Sequence, residues 1–392
     1  MTERPSGSAA VPPPEPGTAA APEGSEPRTA AAEAGTTVAP VASEPQVTAE
    51  QISLGRRLRQ PRTIISIAVP LVIIVIFVAL NWQQLQRVPA LIAAANPVLV
   101  LAAFAVFYLG FPLRGYRWAL LLRGTGFYCP TKDATEILFL SWLVNCIVPA
   151  KLGDVYRAYL LKINSDASLS RTFGTVFIER VLDLFVIVIL GLAAGFWSFR
   201  GGLPPEIQVV VALGIAVVVV LALGLLFLRN LGRPVLLALP LPRKARVLEL
   251  YDRFEEGVFG AIGWRALPRL LVLTALIWGT EAMRLYLVVQ ALDFPDVSLG
   301  LSGAVFVALI GSLLTAVPLS PAGLGIVEAG MVGILTLVYG VPLAEATAIA
   351  LLDRTISVFS IIVFGSIAWV LSPKPRGEGR IPARPDPATA SA

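Results

Sequence analysis

Histidine is absent from all 392 residues of this chain. That removes imidazole general acid–base chemistry, histidine metal sites and Ser-His-Asp triads. Cysteine occurs only at Cys129 and Cys146. Two thiols are too few for a zinc cage, and both read as packing residues. Charge is scarce, with 15% of residues ionisable. The glycines near position 323 follow no strand, so they make no nucleotide motif. No ATP site and no cofactor are expected.

What the chain does have is apolar surface. Hydrophobic residues make up 56% of it, and the mean hydropathy is +0.76. Such a composition belongs to a polytopic membrane protein. The net charge of +5 hides a split, because residues 1–50 carry seven Glu against two Arg. The basic residues elsewhere sit between apolar runs, which indicates a membrane-facing bias and argues against a nucleic-acid partner. Residues 1–50, rich in Ala, Pro and Glu, read as a disordered tail able to recruit a protein partner. Residues 373–392 read as a second disordered tail, leaving 51–372 as the membrane domain.

Six runs are long enough to span about 30 Å of hydrocarbon. They fall at roughly 64–80, 98–113, 173–197, 207–228, 269–291 and 346–371. Two further apolar regions, 134–164 and 301–340, are interrupted by Pro and Gly around Pro149 and Pro318. Broken helices at membrane depth survive only where protein or water satisfies the freed backbone. Both regions read as re-entrant hairpins of two half-helices; if 301–317 crosses fully, the count changes. Loop charges agree with cytosolic N- and C-termini. Arg56, Arg57, Arg59 and Arg62 precede the first run, and the loop from Arg229 to Arg269 is strongly basic. The expected fold is therefore all-α, with about six full spans and two re-entrant hairpins.

The chain is also internally duplicated. Glu179-Arg180 falls on Asp353-Arg354 at an offset of 174, as Asp154 does on Glu328, while Arg117 falls on Arg284 at 167. Repeat one covers about 98–197 and repeat two about 269–371. Three full spans separate their starts, an odd number, so the halves run in opposite directions. Charged groups inside such runs cost roughly 2.5–3.5 kcal/mol each on insertion scales, and their recurrence at equivalent places marks a polar site. One cluster gathers Arg117, Lys151, Asp154, Arg157, Glu179, Arg180 and Asp183, toward the cytosolic side. The other gathers Arg284, Glu328, Asp353 and Arg354, toward the outer side, with Ser320, Gly323 and Gly325 at the second break. A half-helix N-terminus there suits a phosphate, and Lys151 and Arg157 at the first break could hold a phosphate by charge. The competing reading is that these charges only lock helices together or meet lipid head groups.

At these residues the chain resembles the transmembrane family of lysylphosphatidylglycerol synthase/flippase proteins. The matching pieces are Pro149-Ala150-Lys151-Leu152-Gly153-Asp154-Val155-Tyr156-Arg157, Glu179-Arg180-Val181-Leu182-Asp183, Pro318 to Glu328, and Asp353-Arg354. The family often has Glu where Asp154 stands. The resemblance implies movement of a lipid or lipid-linked head group between leaflets of a bacterial cytoplasmic membrane. With only about 20 residues after the last span, no aminoacyl-transferase domain is expected, and the chain is not expected to be an enzyme. On this reading Arg117, Arg180, Arg284 and Arg354 would hold phosphate. Glu179, Asp183 and Glu328 would hold cationic parts or a coupling proton. A membrane scaffold and an intramembrane enzyme on lipid-linked substrates remain the alternatives.

Overall fold

The computed structural model describes residues 75–149, 151–199, 205–240, 242–295, 299–315 and 320–381, with isolated positions at 68, 71–72 and 297. The N-terminal tail and most of the first apolar run lie outside these residues. Every regular element among the described residues is helical.

The first half has four principal helices: α1 (Pro97–Gly124), α2 (Thr131–Ile147), α3 (Leu152–Ile163) and α4 (Leu169–Ser198). Helices α5 (Pro205–Asn230) and α6 (Lys244–Gly260) connect it to the second half. That half contains α7 (Leu267–Leu292), α8 (Leu301–Leu314), α9 (Ile326–Leu337), α10 (Leu343–Arg354) and α11 (Ser360–Leu371). A π-helical turn at Thr355–Phe359 joins α10 to α11. The duplication is visible in the helix boundaries. Helix α9 lies 174 positions after α3 at both ends, and α10 starts 174 positions after α4.

Local chemistry sets the long helices. Asn96 caps α1 by accepting from the N–H groups of Val98 and Leu99, and Pro97 occupies the first turn, where its missing N–H costs nothing. Ser168 caps α4 through the Arg171 N–H. Asp293 ends α7 in the left-handed region, φ 43°. Among the described residues, four stretches are long and apolar enough to cross a membrane: Pro97–Gly124, Val211–Asn230, Leu267–Leu292 and Leu343–Leu371. Helix α4 has 30 residues but holds Glu179, Arg180 and Asp183 inside it.

Helices α1 and α7 pack along one another. Helix α4 packs on both α6 and α8. At the α4–α6 crossing Gly174 and Gly257 face each other's backbones, leaving no room for a Cβ on either.

Both interrupted regions are helix–break–helix units whose arms pack together. The outer ends of α2 and α3 meet at one end of the molecule. Lys374, just past α11, bonds Asp133 in the first turn of α2 at 2.5 Å, and its carbonyl accepts from Asn164 at the end of α3. The outer ends of α8 and α9 meet at the far end of α4. There Ser302 bonds Ser198 at 2.9 Å, and the Tyr339 ring lies 5.8 Å from Phe199. The two units therefore start from opposite ends of α4.

One expected boundary is corrected. The C-terminal tail does not begin as disordered chain at 373. Lys374 is buried and paired with Asp133 and Glu136, and Asn164 bonds the backbone of Lys374, Gly379 and Ile381. A basic, proline-rich composition concealed these contacts because their partners lie more than 200 positions away. Residues 382–392 lie outside the described residues.

Candidate functional site

The first break begins where α2 ends at Ile147. Lys151 is the N-cap of α3 and adopts the left-handed conformation, φ 51° and ψ 35°. Asn145, one turn before the break, reaches over it and accepts the Gly153 N–H at 2.8 Å. The first turn of α3 then presents Asp154 to Arg180 of α4. Two parallel bonds join them: Nε to Oδ2 at 2.9 Å and Nη2 to Oδ1 at 2.7 Å. The third arm of Arg180 reaches Asp183 at 3.3 Å. Asp183 also accepts from Arg117 at 2.6 Å and from the Trp278 indole at 3.1 Å.

The second break repeats this arrangement with different side chains. Ala322, Gly323 and Gly325 all have positive φ. Ser320 donates to the Leu324 carbonyl and so closes the turn on itself. Gly325 is the N-cap of α9, and its N–H donates to Glu328 at 2.6 Å. Glu328 accepts from Arg354 Nε at 2.7 Å, and Arg354 Nη2 donates to the Ala322 carbonyl at 2.6 Å. Arg284 holds Asp353 bidentately at 2.8 and 3.0 Å and also bonds Glu281.

The pairings match between halves. Arg117–Glu179 at 3.2 Å corresponds to Arg284–Asp353, and Arg180–Asp154 corresponds to Arg354–Glu328. Even the flanking contacts correspond. Arg117 bonds Thr274 at 2.8 Å, and Arg284 lies 5.1 Å over Phe107, which stands 167 positions before Thr274. Charged pairs buried this deeply stabilise little by themselves, but removing one partner costs about 3–5 kcal/mol.

Both breaks open on one cavity of about 350 Å³. Of the residues expected at the site, Lys151, Asp154, Arg180, Asp183, Arg284, Ser320, Gly323, Asp353 and Arg354 line it. Five stand behind its wall: Arg117, Arg157, Glu179, Gly325 and Glu328. Arg157 is fully buried, bonded to Glu179 at 3.1 and 3.2 Å and set 4.9 Å over Trp118. Arg117 is spent on Glu179, Asp183 and Thr274. These two hold α4 in place and present no face to a ligand in the cavity. The clusters expected near separate leaflets also prove to be walls of a single chamber, bridged by Arg114 and Glu281.

Sequence reasoning passed over Trp142, Asn145, Trp278 and Ser357, which also line the cavity. The signal that could have found Asn145 is a polar side chain inside an apolar run. The indoles carried no such signal, since a Trp in a span reads as lipid-facing. Ser357 sits on the π-helical turn, a distortion that hydropathy does not register and that often marks functional positions.

Comparison with known proteins gives one family. The model of the lysylphosphatidylglycerol synthase TM region matches residues 64–365. A UPF0104 membrane protein of Methanocaldococcus jannaschii is 36% identical over 232 residues, 58% of this chain and 93% of that protein. A UPF0104 membrane protein of Methanothermobacter thermautotrophicus is 27% identical over 312 residues, covering 75% and 90%. The glycosyltransferase AglD of Haloferax volcanii is 28% identical over 322 residues, 73% of this chain. The match takes in 51% of AglD, about half its length.

Proposed function

The chain belongs to the family of the lysylphosphatidylglycerol synthase transmembrane region, and on that footing we propose that it is a flippase-like transporter of a lipid or lipid-linked head group. The observation that carries this reading is the cavity on which both helix breaks open, with its ion pairs and its apolar walls. A head group needs a polar chamber inside the bilayer, and acyl chains need none.

Geometry supports a re-entrant reading of the breaks. At 1.5 Å per residue, α2 is about 25 Å long, α8 about 21 Å, and α3 and α9 about 18 Å. None reaches across about 30 Å of hydrocarbon. Each unit returns to the end from which it started, and the two start from opposite ends of α4. That supports two inverted repeats, the architecture in which one half rocks against the other about a site near the midplane. In this reading α1, α4, α5, α7 and α10–α11 span the membrane with the first apolar run, and both termini face the cytosol. The driving force is an ion gradient or the lipid gradient.

Reconstitution of the purified chain in liposomes tests the proposal. Fluorescent head-group-labelled lipid should reach the opposite leaflet faster than in protein-free vesicles. Equal rates for both would overturn it. One observation favours a second reading, a membrane enzyme on lipid-linked substrates: the similarity to AglD, a protein named as a glycosyltransferase. Turnover of a labelled polyprenyl phosphate by the pure protein would select that reading instead.

A further inference from the structure

Charge around the cavity does not balance. Arg114, Arg117, Arg157, Arg180, Arg284 and Arg354 each hold a carboxylate. Their partners are Asp154, Glu179, Asp183, Glu281, Glu328 and Asp353, so the arginines are matched in number. On Arg180 and Arg284, both of which line the cavity, all three guanidinium nitrogens sit on carboxylate oxygens. Each guanidinium keeps further N–H groups, but its charge is already met by carboxylates, as is that of Arg354 on the same wall.

Lys151 is the cation left over. It lines the cavity, and no ion pair or hydrogen bond ties its ammonium to another of the described residues. Its backbone is also unusual. A left-handed φ of 51° is unfavourable for any residue with a Cβ. The repeat shows what this position ordinarily carries. At an offset of 174 stands Gly325, likewise an N-cap and likewise of positive φ, 84°. One half meets the turn with glycine; the other bears the strain of a lysine. Strain at a cavity wall, kept where a glycine would relieve it, points from the outlier to a function. Ser357, on the opposite repeat, adds a buried hydroxyl that lines the same cavity and finds no partner among the described residues.

We propose that Lys151 is the ligand-binding cation of the cavity and selects a head group carrying one phosphate anion, with the Ser357 hydroxyl as a second donor. The inference rests on the lipid-transport reading of this cavity and narrows its substrate to anionic phospholipids. A zwitterionic head group would bring its own cation to a chamber that already has one in surplus. An anionic one neutralises it. A charge-assisted hydrogen bond in a site of this kind contributes about 1.5–3 kcal/mol, roughly ten- to a hundred-fold in affinity.

The test uses the full chain in detergent, with short-chain phosphatidylglycerol and phosphatidylcholine of equal acyl length. Fluorescence of Trp142 and Trp278, both in the cavity wall, reports occupancy. Wild type should bind phosphatidylglycerol at least ten-fold more tightly. Lys151→Gly should keep or raise the melting temperature, since glycine suits the turn, and should erase the preference. Lys151→Arg should retain most of it. A preference that survives in a folded Lys151→Gly variant, or none in wild type, would overturn the inference. Free glycerol phosphate forms a second arm. If it binds as tightly as the lipid, the Lys151 anion site stands and its lipid occupant falls. Failure of translocation in liposomes with the binding preference intact would remove the transport reading and leave the site.

Discussion

Arg114 and Glu281 stand 167 positions apart in the chain, and their side chains meet at 2.5 Å. The same offset carries Arg117 onto Arg284, so the two partners occupy one position in the two repeats. A contact between equivalent positions lies where the halves face each other, on the seam between α1 and α7. Glu281 also holds Arg284, and Arg114 stacks 4.8 Å from the Trp142 ring.

Breaking this pair from one side should be costly. Glu281→Leu leaves Arg114 buried without a carboxylate, and destabilisation of about 3–5 kcal/mol is expected. Adding Arg114→Met removes the stranded charge. The double variant should then recover more than half of the loss, because Arg284 keeps Asp353. Thermal unfolding of both single variants and the double variant measures the coupling, and strict additivity would show that the contact carries no energy.

If the repeats are inverted, the two breaks enter the bilayer from opposite faces. In a Cys129→Ala/Cys146→Ala background, Asp166→Cys, exposed at the outer end of the α2–α3 unit, should react with a membrane-impermeant thiol reagent from the cytosolic side. Gly300→Cys, exposed at the outer end of the α8–α9 unit, should react from the other side. Sided vesicles with a mass or gel-shift readout decide the matter. Reaction of both positions from a single compartment would refute the inverted arrangement.

Much of this was legible in the chain itself. Recurrence of Glu179-Arg180 at Asp353-Arg354 pointed to the duplication, and charge inside apolar runs, costly in a membrane, pointed to residues that line the cavity. The breaks followed from Pro149 and from Pro318 to Gly325. What could not be read was partnership. Asp154 and Arg180 are 26 positions apart, and nothing in the sequence says that Arg180 is consumed by a carboxylate while Lys151 is not. Arg117 and Arg157 looked equally fit to hold phosphate until packing placed them behind the wall. The docked segment after Leu371 was hidden for a similar reason, since Asn164 and Asp133 lie far away in sequence.

Cys129 gives a prediction outside the spans. It lies in the connection between α1 and α2, where burial first and the nearby Asp133 second push its thiol up to about 12. At pH 8 it should stay protonated and resist alkylation in the folded protein, reacting only on unfolding. The sign for stability follows. Folding disfavours the thiolate, so stability is full below the ordinary thiol range near 8.5 and declines as pH rises from there toward 12. Replacing Cys129 by Ala should flatten that alkaline decline. A thiol alkylated within minutes at pH 8 in folded protein would contradict this environment.

Arg180 and Arg354 are equivalent positions that should respond unequally to the same change. A lysine places one point charge where arginine makes two parallel bonds, so neither Arg→Lys replacement is conservative. The Arg180 side chain is 30% exposed, whereas that of Arg354 is 8% exposed. Arg354 also ties the second break together by donating to the Ala322 carbonyl, a bond a lysine on Glu328 cannot duplicate. A lysine ammonium at 180 keeps access to water, whereas one at 354 is closed in, while the carboxylates Asp154, Asp183 and Glu328 are largely buried in both cases. Stability should fall by less than about 1 kcal/mol for Arg180→Lys and by roughly 1–3 kcal/mol for Arg354→Lys. Lipid translocation, which needs both breaks held open on the cavity, should fall by about ten-fold or more in each. Melting curves beside translocation rates separate the two effects. Equal loss of stability at both positions would mean that burial does not distinguish the two halves of the site.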